Sequence, residues 1–153
     1  MEIPNLGSFN LEAAVFDFNG TLALDGRIIG PVRAQLQRLA VDLEIHVLTS
    51  DTFRMAVQEC RGLPVRLRIL ESENHTREKA AYLGQFGGRQ VVAVGNGAND
   101  QLMLEEAALG IAVIGPEGAG SKTILSSDLV VNNINEAIDL LLNPRRIVAG
   151  LRR

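Results

Sequence analysis

The chain has 153 residues, which is enough for one domain with its own hydrophobic core, and we expect residues 1–153 to form a single domain. Hydrophobic residues make up 46% and charged residues 22%, and the net charge of −3 argues against a broad nucleic-acid-binding surface. The single cysteine, Cys60, excludes an internal disulfide and a cysteine-based zinc site. Since no signal peptide or membrane span is visible, we expect a cytoplasmic protein without a membrane partner.

Short apolar runs recur along the chain, and each is typical of a strand. In chain order they cover residues 13–16, 47–48, 65–70, 91–94, 111–114 and 129–131. The run over 65–70 alternates apolar residues with Arg66 and Arg68, which favours a strand near an edge of the sheet. The other runs are uninterrupted, as in parallel sheets that are covered on both faces.

Helical patterns lie between these runs. We predict helices from Pro31 onward and over residues 52–60, 76–86, 99–109 and 135–142, with Gly87-Gly88 and Gly110 as stop signals. The tail 145–153 is either a last helical turn or a loose basic end. Residues 22–29 predict a short flap with a hairpin turn at Asp25-Gly26. This alternation predicts an α/β fold: a single doubly wound, Rossmann-like parallel sheet with helices on both faces.

The first polar cluster follows the first predicted strand and reads Asp17-Phe18-Asn19-Gly20-Thr21. A carboxylate at such a strand end can attack phosphorus and form an aspartyl-phosphate. Gly20 would let the backbone approach an anion closely. The same residues are also common in simple strand-terminating turns.

Three further clusters follow later predicted strands or lie on a helix. Thr49-Ser50 could hold phosphate through hydroxyl groups and free amides, or could cap a helix. Lys79, one of only two lysines, could screen charge between a carboxylate and a phosphate, although most helix lysines are solvated. The loop 95–100 carries Asn96, Asn99 and Asp100, the kind of oxygen ligands that Mg²⁺ prefers, or forms a strand-to-helix turn.

In this order, the stretches DFNGTL, LTSD, REK and GNGAND resemble the four motifs of the haloacid dehalogenase superfamily, over about residues 12–142. The resemblance implies a capless core of that superfamily and a phosphatase or hydrolase that acts on a phosphorylated small molecule or a phosphoprotein. It implies that the catalytic positions are Asp17, Asn19, Thr49 and Lys79. It implies that phosphate contacts come from Gly20, Thr49, Ser50 and Lys79. It implies that Mg²⁺ is held by Asp17, Asn19, Asn96 and Asp100.

The chain departs from the superfamily pattern at two positions. Asn19 stands where the family has a second acid, which normally protonates the leaving group and activates water; an amide cannot exchange a proton near neutral pH. Asn96 stands where the fourth motif has its first Asp, so Mg²⁺ should bind more weakly. P-type ATPases tolerate the first change, and Thr49-Ser50-Asp51 is similar to their second motif. The chain therefore resembles small soluble P-type-ATPase-like proteins.

No cap domain fits between the motifs, because only 31 residues separate Asp17 from Thr49 and 29 separate Thr49 from Lys79. A neighbouring subunit could cover the site instead, so we expect self-association into a homo-oligomer. Three functions remain open: a slow Mg²⁺-dependent phosphatase or phosphotransferase, a catalytically impaired phosphate- or nucleotide-binding regulatory module, and a structural partner subunit. The joint presence of the motifs favours the enzyme over the structural subunit, whereas Asn19 and Asn96 favour the module over a fully active enzyme.

Overall fold

The computed structural model describes residues 1–50, 54–87 and 90–153. Its strands are β1 (Glu2–Ile3), β2 (Gly7–Ser8), β3 (Leu11–Asp17), β4 (Ala23–Leu24), β5 (Arg27–Ile28), β6 (Glu44–Thr49), β7 (Arg66–Ile69), β8 (Gln90–Gly95), β9 (Leu109–Val113) and β10 (Leu129–Val131). Its helices are α1 (Val32–Leu39), α2 (Met55–Glu59), α3 (His75–Tyr82), α4 (Gln101–Glu106), α5 (Ser121–Leu125), α6 (Ile134–Leu142) and α7 (Pro144–Leu151), with 3₁₀ turns at Leu83–Phe86 and Ala98–Asp100. None of the helices within the described ranges has the length and apolarity that crossing a bilayer requires.

The core of the fold is a six-stranded sheet in the order β10-β9-β8-β3-β6-β7, and every neighbouring pair is parallel. The predicted doubly wound parallel sheet is therefore confirmed, with β7 at an edge as its alternating pattern indicated. The chain builds outward from β3 to β6 and β7, then returns to the other side of β3 to form β8. This reversal makes a topological switch point between β3 and β8, where open α/β sheets usually bind their ligands.

Side chains of β3 alternate between two buried clusters, one on each face of the sheet. Ala14 and Phe16 share a cluster with α1, α6 and α7, whereas Ala13 and Val15 share the other with α4. All four side chains are fully buried. Because both faces are covered, these four positions must be apolar, and burying a large apolar side chain stabilises the fold by about 1.5–3 kcal/mol.

The predicted flap is a β4–β5 hairpin. Its turn places Asp25 at φ +51° and Gly26 at φ +77°, the positive values that such a tight hairpin requires. The hairpin is held against α2, because the Ile28 amide donates to the Glu59 carboxylate at 2.9 Å. Every residue between β3 and β6 is described, and these residues form only the hairpin, α1 and their connections, so no cap domain is inserted there.

The predicted helix over 99–109 is wrong at its C-terminal end. Helix α4 ends at Glu106, and Leu109 already begins β9. Gly110, the predicted helix stop, lies inside the strand. A Cβ at this position would lie 2.5 Å from the main-chain oxygen of Leu104, so glycine allows β9 to pack directly against α4.

Other boundaries differ by less. The predicted helix over 52–60 corresponds to α2, and its first two residues lie outside the described residues. The predicted helix over 76–86 changes to a 3₁₀ turn after Tyr82 and ends at Gly87, whereas Gly88 lies outside the described residues. The tail is helix α7, because proline starts it and Ile147 anchors it in the core. The β1–β2 hairpin and α5 were not predicted.

The close packing at Gly110 can be tested with a pair of glycine variants. Gly110→Ala should destabilise the protein by about 1–3 kcal/mol, the usual effect of overpacking a core, because the new methyl group meets backbone rather than a movable side chain. Gly84→Ala should be close to neutral, because no atom lies within 4 Å of a Cβ placed there. Urea unfolding of both variants measures the difference, and equal stabilities would contradict the packing role.

Candidate active site

A buried lysine joins two carboxylates at the carboxyl end of the sheet. The Lys79 Nζ atom lies 2.7 Å from Asp17 Oδ1 and 2.7 Å from Asp100 Oδ1, and it donates to Asn99 Oδ1 at 2.9 Å. The Lys79 side chain is only 2% exposed. These three partners match the three protons of the ammonium group, so its position is fixed. Asp17 ends β3 and Asp100 follows β8, which places the cluster at the switch point.

The loop after β3 turns sharply so that Asp17 faces the cluster. Gly20 has φ +78°, and its amide donates to the Ala23 carbonyl at 2.8 Å. That amide is thus engaged by the chain itself. The Thr21 hydroxyl lies 3.4 Å from Asp17 Oδ2 and 3.1 Å from Asn96 Oδ1, so it links the first and fourth motifs.

The loop after β8 closes around Asp100. Asp100 Oδ2 accepts the amides of Asn96 and Gly97 at 3.0 and 2.9 Å, while Oδ1 accepts Lys79. A Cβ on Gly95 would lie 2.5 Å from Asp100 Cγ, so glycine makes room for the returning carboxylate. Asp100 is fully buried, and both of its oxygens are engaged.

An open cleft lies over this cluster. Its lining comprises Asp17, Asn19, Ser50, Leu70, His75, Lys79, Asn96, Gly97, Asn99 and Glu117. Candidate residues from all four motifs therefore meet at one cleft, which is the arrangement that parallel strand ends predict.

The remaining candidates lie at or below the rim of this cleft. Asn19 is exposed, and its Nδ2 atom donates to Thr49 Oγ1 at 3.3 Å. Thr49 is buried at the end of β6, and Ser50 after it is exposed toward the cleft. Asp51, the third residue of the second motif, lies outside the described residues.

Sequence reasoning gave no role to three polar residues of this region. Thr21 lies within the first motif, DFNGTL, and this position in the motif could have identified it as a site residue. His75 lies one helical turn before Lys79, and residues four apart share a helix face. Glu117 follows β9, and the predicted strand end at Gly115 could have drawn attention to the loop after it.

The buried cluster contains two carboxyl groups, Asp17 and Asp100, and one ammonium group, Lys79. Burial raises the pKa of Asp17 to about 7, and the charge of Asp100 adds to the rise while Lys79 opposes it. Burial also acts to lower the pKa of Lys79, but the charges of Asp17 and Asp100 outweigh it, so that pKa lies above its usual value. One permanent ammonium thus serves two carboxylates, which favours a further cation beside Asp17.

The donor chemistry of the cleft fits a small hard cation. Asp17 Oδ2 and Asn96 Oδ1 are oxygen atoms beside the cleft, and Mg²⁺ typically binds through one or two carboxylates, waters and a phosphate. Within residues 1–50, 54–87 and 90–153, no three His, Cys, Asp or Glu side chains are gathered as a metal site.

Comparison with solved structures defines the class of fold. The cobalt-bound deoxy-D-mannose-octulosonate 8-phosphate phosphatase of Haemophilus influenzae superimposes with a TM-score of 0.72 at 14% identity, over 90% of each chain. The 3-deoxy-D-manno-octulosonate 8-phosphate phosphatase of Moraxella catarrhalis, solved with magnesium, phosphate and the sugar acid, gives 0.66 at 19% identity over 93% of this chain and 94% of that one. The fold is therefore that of the haloacid dehalogenase superfamily, as the motifs predicted.

Sequence comparison adds two curated relatives, although no family model matches the chain. The uncharacterised protein MJ0073 of Methanocaldococcus jannaschii is 61% identical over 64 residues, which are 42% of this chain and 69% of that protein. The phospholipid-transporting ATPase NEO1 of Saccharomyces cerevisiae is 26% identical over 89% of this chain, which spans 10% of the length of that ATPase. The chain belongs to the same family as the Methanocaldococcus protein.

The charge imbalance predicts that Asp17→Asn stabilises the metal-free protein at about pH 8. The folded-state pKa of Asp17, about 7, lies above the ordinary value of 3.8 for this carboxyl, so wild-type stability falls as the pH rises between these values. The variant lacks this loss. Its advantage should be absent near pH 4 and reach about 1–3 kcal/mol at pH 8, as measured by denaturant unfolding with a chelator present.

Asp42→Asn is the matched control, because Asp42 is exposed and distant from the cleft. Its effect should stay within about 0.5 kcal/mol at both pH values. If Asp17→Asn instead lost stability at high pH, Lys79 would need both carboxylates and the imbalance would not exist.

Proposed function

We propose that this protein is a slow, divalent-metal-dependent phosphatase or phosphotransferase that works through an aspartyl-phosphate on Asp17. The observation that carries the proposal is the buried Lys79 ammonium, 2.7 Å from both Asp17 and Asp100, beneath an open strand-end cleft. A buried charged cluster facing a cleft is a common property of catalytic sites. The fold of known phosphatases supports the same class of chemistry.

Asp17 would be the nucleophile. Lys79 binds its Oδ1 atom at 2.7 Å, which holds the carboxylate in a fixed position beside the cleft. Attack forms the bond from Asp17 to phosphorus and breaks the bond to the leaving oxygen. Water then hydrolyses the acyl phosphate, which restores the carboxylate and releases phosphate.

The rest of the cleft would bind the phosphoryl group. Ser50 and Lys79 line the cleft and would supply a hydroxyl and an ammonium group, and Lys79 would exchange one of its three present partners for the phosphoryl group. Thr49, at the end of β6, would supply a second hydroxyl, and Gly20 would let the backbone come close to the phosphoryl group. Bound Mg²⁺ would neutralise charge on the transferred group. Its proposed ligands are Asp17, Asn19, Asn96 and Asp100. Of these, Asp100 would have to exchange one of its present partners, which makes it chiefly a positioning residue for Lys79.

The substrate would be a phosphorylated small molecule or a phosphoprotein. Two structural neighbours are named for a phosphorylated sugar acid, which supports the first of these. The cleft carries no inserted cap between β3 and β6, so its mouth admits a bulky substrate or the surface of a second subunit.

Turnover would be slow because the Asn19 side chain at the cleft cannot act as a general acid or base near neutral pH. Its amide donates to Thr49 instead. The same observation supports a second candidate function, a regulatory module that binds phosphate or a nucleotide without turnover. The two candidates differ in whether restoring an acid at this position restores catalysis.

Hydrolysis of p-nitrophenyl phosphate with Mg²⁺ separates these candidates. Wild type should hydrolyse it slowly, and Asp17→Asn should not. Asn19→Asp should raise the rate, by up to the roughly 10²- to 10⁴-fold that a general acid–base group contributes. The new carboxylate is accommodated because position 19 is exposed to solvent.

Beryllium fluoride supplies a readout that does not depend on turnover. Fluorine NMR should show a bound species on wild type and on Asp42→Asn, but not on Asp17→Asn. Equal hydrolysis by wild type and Asp17→Asn would rule out the aspartyl-phosphate. Beryllium fluoride binding without hydrolysis, even by Asn19→Asp, would establish the binding module instead.

A further inference from the structure

The carboxylate oxygens of Asp17 and Asp100 differ in how fully they are hydrogen-bonded. Lys79 takes one oxygen of Asp17 and one of Asp100, and the amides of Asn96 and Gly97 take the other oxygen of Asp100. Among these carboxylates, only Asp17 Oδ2 is left with a single long contact. One carboxylate oxygen is a weak basis for holding a divalent cation, so a second carboxylate from elsewhere in the cleft would matter.

Glu117 brings such a carboxylate to the same place. Its Oε2 atom lies 2.2 Å from the point where a Cβ on Gly20 would stand, and Asn96 Nδ2 and Oδ1 lie 2.9 and 3.0 Å from that point. The carboxylate therefore occupies the space that the missing side chain of Gly20 leaves open, next to the Asn96 amide, in the cleft that Asp17 also lines. Glu117 is exposed and lines the cleft, so a cation can reach it from solvent.

The turn that carries Glu117 is fastened to Asn96. The side-chain amide of Asn96 donates to the Gly118 carbonyl at 3.0 Å, and the Gly120 amide donates to the Asn96 carbonyl at 2.8 Å. Gly115 and Gly118, at φ +58° and +74°, shape the turn between them. A carboxylate at position 96 could not donate to the Gly118 carbonyl, so an amide is the side chain that holds this turn in place.

We propose that Glu117 is the second carboxylate of the divalent-cation site, and that Asn96 positions the Glu117 turn in addition to supplying its own amide oxygen. The acid that is missing at position 96 is thereby replaced from the loop after β9. The inference rests on the proposed function, because it names a ligand for the cation of the same site. It gives the site two carboxylates, Asp17 and Glu117, from two different strand ends.

Titration calorimetry with MgCl₂, in the absence of any substrate, tests this directly. Glu117→Gln should weaken Mg²⁺ binding by at least the roughly 10- to 100-fold that even a supporting group around a metal typically contributes. Glu106→Gln is the matched control, because Glu106 is an exposed glutamate at the end of α4, and it should bind as wild type does. Asn96→Asp in the Glu117→Gln background should recover part of the lost affinity.

The outcomes separate this inference from the proposed function. If wild type and Glu117→Gln bind Mg²⁺ equally, Glu117 is not a ligand, while phosphatase activity that depends on Asp17 would still stand. If wild type binds no Mg²⁺ at millimolar concentrations, both the ligand and the metal-dependent mechanism are overturned. Since an exposed substitution usually changes stability by less than about 0.5 kcal/mol, unfolding of metal-free Glu117→Gln verifies that any lost affinity is not lost folding.

Discussion

The buried ammonium of Lys79 is the contact around which the rest of the site is arranged. It reaches from α3 to a carboxylate on β3 and to another after β8, so it fixes a helix against both sides of the switch point. A buried charge of this kind is tolerated only when it is fully paired, and removing one partner of a buried pair is usually expensive. Here two carboxylates share one ammonium group. Burial and the neighbouring charge of Asp100 therefore raise the pKa of Asp17 despite the contact with Lys79. A cluster with this excess of negative charge is stabilised by added positive charge, which supports the proposal that it binds a divalent cation.

Close backbone approaches make this arrangement possible, and three glycines provide them. Gly95 leaves room for the Asp100 carboxylate, and Gly20 leaves room for Glu117 and Asn96. Gly110 allows β9 to lie against α4, whose preceding turn carries Asp100. Each of these glycines has a neighbouring atom within 2.5 Å of the position that a Cβ would take. A larger residue at any of the three would therefore displace Glu117, Asp100 or the backbone of α4. The packing of the sheet and the geometry of the Lys79 cluster therefore both depend on the absence of side chains at these glycines.

The sequence predicted an element correctly where its residue pattern is typical of a single kind of structure. Uninterrupted apolar runs predicted the central strands, because only a sheet that is covered on both faces requires them, and the alternation around Arg66 and Arg68 predicted the edge position of β7. The prediction for Gly110 was wrong, since a glycine after a helical pattern ordinarily ends the helix, whereas the role of Gly110 depends on a close approach to Leu104 that the sequence does not show. Glu117 was missed for a related reason: it lies 17 residues beyond Asp100, and only the folded loop after β9 brings its carboxylate back to Gly20.

The two asparagines that depart from the superfamily pattern are both hydrogen-bond donors in the structure, and the partner of Asn96 indicates why an amide stands at that position. Asn19 donates to a hydroxyl, and Asn96 donates to a carbonyl. A carbonyl can only accept a hydrogen bond. An acid at position 96 would face the Gly118 carbonyl without a proton between them and would release the turn that presents Glu117. At position 96 the amide is thus required to hold the turn, and in the proposed cation site the second carboxylate comes from that turn.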